Sequence, residues 1–253
     1  LLLDAFLGGS CSLLSNRLLR WPQYCSMRTA SWSLPSTSCE VSVSGALDGI
    51  RVLDLSTLVQ GPQAAAMLHD LGAEVIKIEL PEIGDMGRHV GVIEELGTSV
   101  FWEACNRGKR SVTLDLRTDA GYEAFLKLVE VSDVVLSNFQ PGTLDGWNLG
   151  YEDLAAVNPR IIWAAGSFLG PLGPDALREG ADIVGEAAGG VISGIGNDDE
   201  PATTVASLLA DHCGSQNLQT GILAALFARE RTGRGQRIDV SLLGGQIWMQ
   251  APE

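Results

Sequence analysis

Short apolar runs alternate with helical patterns from Gly49 onward, and this alternation predicts the secondary structure. Strands are predicted at residues 50–55, 74–79, 111–116, 133–136, 160–165 and 237–243. Helices are predicted at residues 63–71, 120–131 and 151–157, and over the apolar run 221–227. A repeated strand, helix, strand order indicates an α/β fold, with a Rossmann-like parallel sheet and flanking helices.

Two segments of this pattern carry more specific expectations. In the helix predicted at 120–131, Ala124, Leu128 and Val131 fall on one face, which we expect to be buried. The stretch 166–196 is rich in glycine, which permits close approach of the backbone to a ligand or to another helix. We expect a roomy or mobile lid there.

Composition excludes several classes of protein. The chain has 253 residues, of which 45% are hydrophobic, enough for a substantial core. Its formal net charge of −14, with only 17 lysines and arginines, argues against a nucleic-acid partner. No apolar run has the length that a membrane span requires. The 5 cysteines and 3 histidines are scattered without metal-ligand spacing, so we expect no metal site and a reducing compartment.

Residues 1–45 differ from the rest of the chain and are predicted to lie outside the folded domain at 46–253. They are rich in serine and leucine and carry Arg17, Arg20 and Arg28, as an organelle transit segment does. The alternative is an untranslated or mispredicted extension upstream of Met27. We therefore expect a mitochondrial or a cytoplasmic location.

Ligands of a parallel sheet bind beyond the carboxyl ends of its strands, so the loops that follow the strands are the candidate binding segments. The loop at 56–62 lacks the G-x-G-x-x-G spacing, which disfavours a nicotinamide enzyme. Residues 106–110 hold three cations and form either an anion site or a solvated face. In the loop at 137–142, Phe139 could stack a planar ring and Asn138 could bond it, unless this is a turn with a core Phe.

Asp211 lies ahead of the helix predicted over 221–227 and is the candidate nucleophile. A carboxylate at a helix N-terminus meets a positive backbone field, which we expect to keep it ionised. The alternative is an ordinary N-cap residue, which is far more common in proteins. The sequence around Asp211 decides between these two interpretations.

That surrounding sequence resembles the family III CoA transferases, the CaiB/BaiF group that includes formyl-CoA transferase and α-methylacyl-CoA racemase. The resemblance covers nearly everything after residue 46. The matching motifs are residues 47–54, 71–79, 84–85, 106 with 109–111, 138–139 with 141–142, 158–160, 221–226 and 232–236.

The resemblance implies a CoA transferase with Asp211 as its catalytic residue. In the family this carboxylate attacks an acyl-CoA thioester, giving a mixed anhydride and then an aspartyl-CoA thioester, from which a small carboxylic acid takes the CoA. Backbone amides near Gly189 and Gly190, or in a segment beyond this sequence, would stabilise the oxyanion. No permanently bound cofactor is implied, and the family assembles as an interlocked homodimer.

The resemblance also assigns a CoA site, although three family cations are missing from it. The implied CoA-binding residues are Val59, Gln60, Asn106, Arg107, Lys109, Arg110, Leu114, Asn138, Phe139, Thr143 and Asp182. Leu80, Gln140 and Gly146 stand where relatives commonly carry basic residues. We therefore expect either a rearranged phosphate site or weak CoA binding.

Two alternatives to a transferase remain. Racemases of the family use a Gly-His-Asp motif, which here is Gly180, Ala181 and Asp182, and alanine cannot move a proton. His212 could replace that histidine only with a different geometry. A catalytically silent CoA-binding protein or fragment is the second alternative, since the resemblance implies that the family's small domain and C-terminal return are absent from this chain.

Overall fold

Eight strands and eight helices make up the computed structural model, which describes residues 45–197 and 199–251. The strands are β1 (Arg51–Asp54), β2 (Glu74–Glu79), β3 (Val92–Ile93), β4 (Thr98–Ser99), β5 (Arg110–Thr113), β6 (Val134–Ser137), β7 (Ile162–Ser167) and β8 (Arg237–Ser241). The helices are α1 (Gln60–Asp70), α2 (Val100–Asn106), α3 (Asp119–Glu130), α4 (Thr143–Gly146), α5 (Tyr151–Val157), α6 (Asp182–Gly189), α7 (Leu209–Thr232) and α8 (Leu242–Gln250).

Six of the strands form one parallel sheet in the order β5-β2-β1-β6-β7-β8, and β3 and β4 pair separately as an antiparallel hairpin. Counting only the sheet strands along the chain, this is the order 3-2-1-4-5-6 of the doubly wound Rossmann fold. The order reverses between β1 and β6, where Leu53 pairs with Val135. The crevice beyond the carboxyl ends of these two strands is where such folds bind ligands.

Successive residues of the central strands point to opposite faces of the sheet, and helices cover both faces. Val52 belongs to a core with Leu68 of α1 and Ile222 of α7. Its neighbour Leu53 belongs to a second core with Phe125 of α3, on the other face. Burial of both faces explains why the central strands are continuously apolar.

The predicted α/β class and parallel sheet are confirmed, and strands and helices occur where the pattern placed them, with shifted ends. Helix α1 begins three residues earlier than predicted, at Gln60, and residues 242–243 start α8 instead of ending β8. The predicted apolar face of α3 is only partly buried, since Leu128 packs against the core and Val131 does not. Val131 is 59% exposed, while Phe125 and Val129 are fully buried, because the helix is rotated so that its aromatic residue faces the sheet.

The stretch 166–196 contains α6 and a 3-10 turn at Val191–Gly194, so part of the expected lid is regular structure. The expectation for residues 1–45 concerns a segment that lies, except for Gly45, outside the described residues. None of the helices in the described part of the chain combines the length and the apolar character needed to cross a membrane. Within the same residues no group of three or more metal-ligating side chains occurs.

Candidate active site

The loop after β1 is held at the point where the strand order reverses. Asn138, which follows β6, accepts a hydrogen bond from the Thr57 backbone N–H and donates one to the Thr57 carbonyl oxygen, each over 2.8 Å. Asp85 accepts from the Leu58 N–H over 3.1 Å and from the Thr57 hydroxyl over 3.0 Å. Both side chains therefore fix the shape of the loop that leads to Val59 and Gln60.

Asp211 lies in the first turn of α7, as its third residue and not as its N-cap. The N-cap, Leu208, has no side chain that could bond the free amides of the turn. Asp182, the first residue of α6, takes this role from outside the helix, since its Oδ1 accepts the Asp211 N–H over 2.9 Å. The Asp211 carbonyl oxygen accepts a hydrogen bond from the Ser215 hydroxyl over 2.7 Å. The backbone of the candidate nucleophile is thus fixed on both sides.

The electrostatic surroundings of Asp211 differ from the sequence-based expectation. Burial, and after it the negative charge of Asp182, raise the pKa of the Asp211 carboxyl to about 7. We expected the helix N-terminus to keep this group fully ionised. That expectation is wrong because the carboxyl is largely desolvated and faces a second carboxylate from another helix.

A cleft of about 820 Å³, counting its open mouth, joins Asp211 to the loops after β1 and β6. Its lining includes four residues predicted for the CoA site, which are Val59, Gln60, Asn138 and Phe139. Arg178 and Ala181 of the segment before α6 close another side. The structure therefore brings the predicted nucleophile together with part of the predicted cofactor site.

Gln60 lines this cleft and is one of the residues that the resemblance assigns to the CoA site. Its side chain is wedged between two glycines, since a Cβ on Gly166 would lie 2.3 Å from Oε1 and a Cβ on Gly214 would lie 2.6 Å from Nε2. Gln60 is 4% exposed, and its Nε2 has no hydrogen-bond partner among the described residues. A buried, unused donor thus lines the same cleft as Asp211.

A second cavity of about 990 Å³, again counting its mouth, lies beyond the ends of β1, β2 and β5. Phe139 lines both cavities and makes an edge-to-face contact with Trp147, with ring centroids 5.8 Å apart. Leu114, predicted for the CoA site, lines this second cavity together with Leu80. Most of the lining is apolar, which suits a planar ring system more than a phosphate.

The three cations predicted to bind phosphate are engaged elsewhere. The Lys109 side chain is 2% exposed, and its ammonium donates to Asp54 over 2.7 Å, to the Pro62 carbonyl and to Asn106 Oδ1. Its three protons are therefore all used. Arg107 pairs with Asp70 and Arg110 with Glu74, and neither arginine lines one of the two cavities.

Lys109 belongs to a buried network that supports the loop after β1. Lys77 lies 3.5 Å from Asp54 and 2.6 Å from Asp85. Burial opposes ionisation of Asp54, but the charges of Lys109 and Lys77 outweigh it and hold its pKa at about 2. Lys109 and Asn106 therefore support the framework of the site in this geometry, and neither lines one of the two cavities.

The remaining predicted residues fall outside the two cavities. Thr143 begins α4 and lines neither of them. Asp182 acts on Asp211 and lines a smaller neighbouring cavity. Gly189, expected near an oxyanion, ends α6 and packs on Gln246, and it lines neither cavity.

Among the described residues, Glu179 is the one other carboxyl that lines the cleft of Asp211, and no histidine lines it. The position that a racemase gives to histidine is Ala181, which lines the cleft without a titratable group. The ring nitrogen Nδ1 of His212 lies 2.6 Å from Gln63 Oε1 and His212 is absent from the cleft lining. The cleft therefore lacks the histidine that a racemase uses, which favours Asp211 as a nucleophile.

Comparison with known proteins gives one consistent result. Residues 47–253 match the family model described as CoA-transferase family III. The chain is 40% identical over 204 residues to acetyl-CoA:oxalate CoA-transferase of Acetobacter aceti, covering 80% of this chain and 52% of that protein. It is 40% identical over 201 residues to succinyl-CoA–D-citramalate CoA-transferase of Chloroflexus aurantiacus, covering 79% and 50%.

A crystal structure of a CaiB/BaiF family protein from Brucella suis is similar to the present structure with a TM-score of 0.78. Sequence identity to it is 38%, and the match covers 83% of this chain and 56% of that one. The chain thus spans about half the length of the curated relatives it matches.

Proposed function

The chain belongs to CoA-transferase family III, and from this premise we propose that it transfers CoA from an acyl-CoA donor to a carboxylic acid, with Asp211 as the nucleophile. The observation that carries the proposal is the position of Asp211 in the cleft at the point where the strand order reverses. Its carboxyl shares that cleft with Glu179 but with no histidine of the kind that a racemase uses, which supports covalent catalysis.

The proposed reaction begins when an ionised oxygen of Asp211 attacks the thioester carbonyl carbon. The carbon–sulfur bond breaks, CoA leaves as a thiolate, and a mixed anhydride joins the acyl group to Asp211. The thiolate then attacks the Asp211 carbonyl carbon and releases the donor acid as a carboxylate. An acceptor carboxylate attacks the Asp211 carbonyl carbon of the resulting thioester and expels the CoA thiolate, which gives a second mixed anhydride. The thiolate then attacks the carbonyl carbon of the acceptor, which forms the new thioester and frees the Asp211 carboxylate.

Gln60 is the proposed donor to the oxyanions of these steps. Its Nε2 is buried and lacks a partner among the described residues, and Gln60 lines the Asp211 cleft. A preorganised donor in a desolvated site stabilises the negative oxygen of a tetrahedral intermediate without reorganisation. Gly189, named from the sequence, has no comparable position.

The CoA moiety is proposed to extend from the Asp211 cleft past Phe139 into the apolar cavity. Phe139 lines both spaces, and Leu114 and Trp147 offer surfaces for a planar ring. Arg178 lines the Asp211 cleft and has no ion pair within the described residues, while Arg117 lines the apolar cavity but pairs with Asp115 over 2.8 Å. Arg178 therefore replaces Arg107, Lys109 and Arg110 as the proposed phosphate contact.

A transfer assay tests the proposal. The protein is incubated with acetyl-CoA or succinyl-CoA and a panel of acids that includes oxalate and D-citramalate, and new CoA esters are measured by mass spectrometry. We expect a new ester with the unaltered protein and none with Asp211→Asn. The exposed Asp48→Asn variant is the matched control and should retain transfer. Binding of CoA without any transfer would favour the silent protein, and exchange of the α-proton would favour a racemase.

A further inference from the structure

Gln60 is the first residue of α1, and the sequence before it does not fix this end of the helix. The N-cap residue, Val59, is apolar, so no side chain caps the first turn. Leu58, one position earlier, has a φ of 66°. This left-handed conformation is unfavourable for a residue other than glycine and persists only where the surrounding structure holds it. The position of Gln60 therefore depends on contacts from elsewhere in the fold.

Ser215, which lies one helical turn after Asp211 on α7, supplies such a contact. The residue is fully buried. Its hydroxyl oxygen lies 2.8 Å from the Gln60 carbonyl oxygen and 2.7 Å from the Asp211 carbonyl oxygen. The hydroxyl has one proton to donate, and both carbonyl oxygens can accept it. One buried hydroxyl thus joins the residue that carries the proposed oxyanion donor to the candidate nucleophile.

The contact of Ser215 with Asp211 would be ordinary by itself, because a serine inside a helix commonly bonds the carbonyl oxygen four residues earlier. The contact with Gln60 is different, since it spans 155 positions of the chain and joins two helices. The third oxygen in reach, Gln63 Oε1, is farther away at 3.2 Å and lies 2.6 Å from His212 Nδ1. Ser215 therefore links α7 to α1 mainly through Gln60.

The residue before Ser215 is matched to the side chain of Gln60. A Cβ on Gly214 would lie 2.6 Å from Gln60 Nε2, which is closer than van der Waals contact allows. Gly214 thus leaves the space that the amide occupies, while Ser215 bonds the backbone of the same glutamine. Two successive residues of the helix that carries Asp211 therefore place both the side chain and the backbone of Gln60.

We propose that Ser215 is a positioning residue, which sets the distance between the Gln60 amide and the Asp211 carboxyl by tying the start of α1 to the first two turns of α7. The hydroxyl contacts neither substrate nor reacting atoms in this role and acts only through Gln60. The kinetic part of the inference rests on the proposed function, in which Gln60 is the oxyanion donor. The placement of Gln60 by Ser215 does not depend on that function.

The placement matters for the reaction because the donor and the nucleophile lie on different helices. A donor stabilises an oxyanion only when it reaches the position that the negative oxygen takes in the transition state. A displacement on the order of 1 Å can cost up to about 100-fold in rate. Removal of the Ser215 hydroxyl leaves the reacting groups intact but frees the start of α1. We therefore expect a lower kcat with a nearly unchanged KM for acyl-CoA, as for a contact made only in the transition state.

Nuclear magnetic resonance tests the placement without any reaction. Because Gly214 lies so close to Gln60 Nε2, the unaltered protein should show a nuclear Overhauser contact between the Gln60 side-chain amide protons and an α-proton of Gly214. We expect this contact to weaken in Ser215→Ala and to persist in Thr220→Ala, a matched control that removes an exposed hydroxyl from the same helix. Absence of the contact from the unaltered protein, or its full retention in Ser215→Ala, overturns the proposal.

A double-mutant cycle then tests whether Ser215 acts through Gln60. Ser215→Ala should lower kcat by about three- to tenfold, as expected for one neutral hydrogen bond. In Gln60→Met, which fills a similar space without a donor, the same substitution should change kcat by less than about twofold, since the coupled group is gone. Equal losses in both backgrounds would assign Ser215 a packing role only and overturn the proposal. No transfer by the unaltered protein, with the Overhauser contact behaving as expected, would contradict only the proposed function.

Discussion

The backbone N–H of Asp211 donates to Asp182 Oδ1 over 2.9 Å, so the candidate nucleophile is bound to a second carboxylate from another helix. This contact has two opposite effects. It fixes the first turn of α7, and it places a negative charge beside a carboxyl that must ionise to react. Burial, and after it this charge, raise the pKa of Asp211 to about 7.

Asp182→Asn should move the acid side of the pH–rate profile to lower pH. Asparagine still offers Oδ1 to the Asp211 N–H, but it removes the charge that, after burial, helps to raise the pKa of Asp211 to about 7. The nucleophile then ionises at lower pH, and transfer persists in more acidic buffer. The measurement is kcat/KM against pH for both proteins. An unchanged acid limb would show that Asp182 does not control this ionisation.

Asp211→Asn should stabilise the folded protein at pH 8 while abolishing transfer. The folded state holds the Asp211 proton up to about pH 7, whereas an unfolded aspartate releases it near 3.8. Between these values the folded state binds more protons, so the stability contribution of Asp211 falls as pH rises. Removing the charge should add about 1–3 kcal/mol at pH 8 and little at pH 4.

Thermal or urea unfolding at these two pH values checks the effect, with Asp48→Asn as the exposed control. Asp48→Asn should change stability by less than about 0.5 kcal/mol at either pH. Equal stability of Asp211→Asn and the unaltered protein at pH 8 would contradict the raised pKa.

Lys109→Met should destabilise the fold because it leaves Asp54 buried with one of its two cationic partners removed. Breaking a buried ion pair on one side costs about 3–5 kcal/mol. Arg110→Met is the matched control, since the Arg110 side chain is 76% exposed and its pair with Glu74 should contribute at most about 1 kcal/mol. Urea unfolding measures the stability loss of both variants. Similar losses in the two variants would contradict a framework role for Lys109.

Arg178→Gln should weaken CoA binding by about tenfold or more, the value expected for one charge-assisted hydrogen bond. Arg178 lines the Asp211 cleft without an ion pair among the described residues, whereas Arg107 is paired with Asp70. Arg107→Gln should therefore leave the affinity nearly unchanged. Calorimetric titration with CoA gives both Kd values. A larger loss of affinity in Arg107→Gln than in Arg178→Gln would instead assign the cationic segment at 106–110 to the CoA site.

Much of the fold could be predicted because a buried parallel strand is a continuous apolar run, as at Val134–Ser137. The end of such a strand also indicates where a loop that can bind a ligand begins. Asn138 and Phe139 were predicted as binding residues on this ground. The face of α3 could not be predicted in the same way. Alanine and leucine recur on more than one face of that helix, and only packing decides that Phe125 is inside.

The ion-pair partners of the charged residues could not be predicted from the sequence, because they are distant along the chain. Lys109 contacts Asp54, 55 positions away, and Arg107 contacts Asp70, 37 positions away. A run of cations has the same composition whether it binds phosphate or pairs within the protein. For the same reason the contact between Asp182 and Asp211, 29 positions apart, carried no sequence signal.

Trapping the acyl-enzyme tests the central claim most directly. The protein is mixed with acyl-CoA and hydroxylamine, which converts an aspartyl anhydride or aspartyl-CoA thioester to a hydroxamate, and its peptides are analysed by mass spectrometry. We predict a hydroxamate at Asp211 and at no other carboxyl, with none formed when acyl-CoA is omitted. Transfer of CoA to an acceptor acid without modification at Asp211, or a hydroxamate at a different residue, would contradict the account.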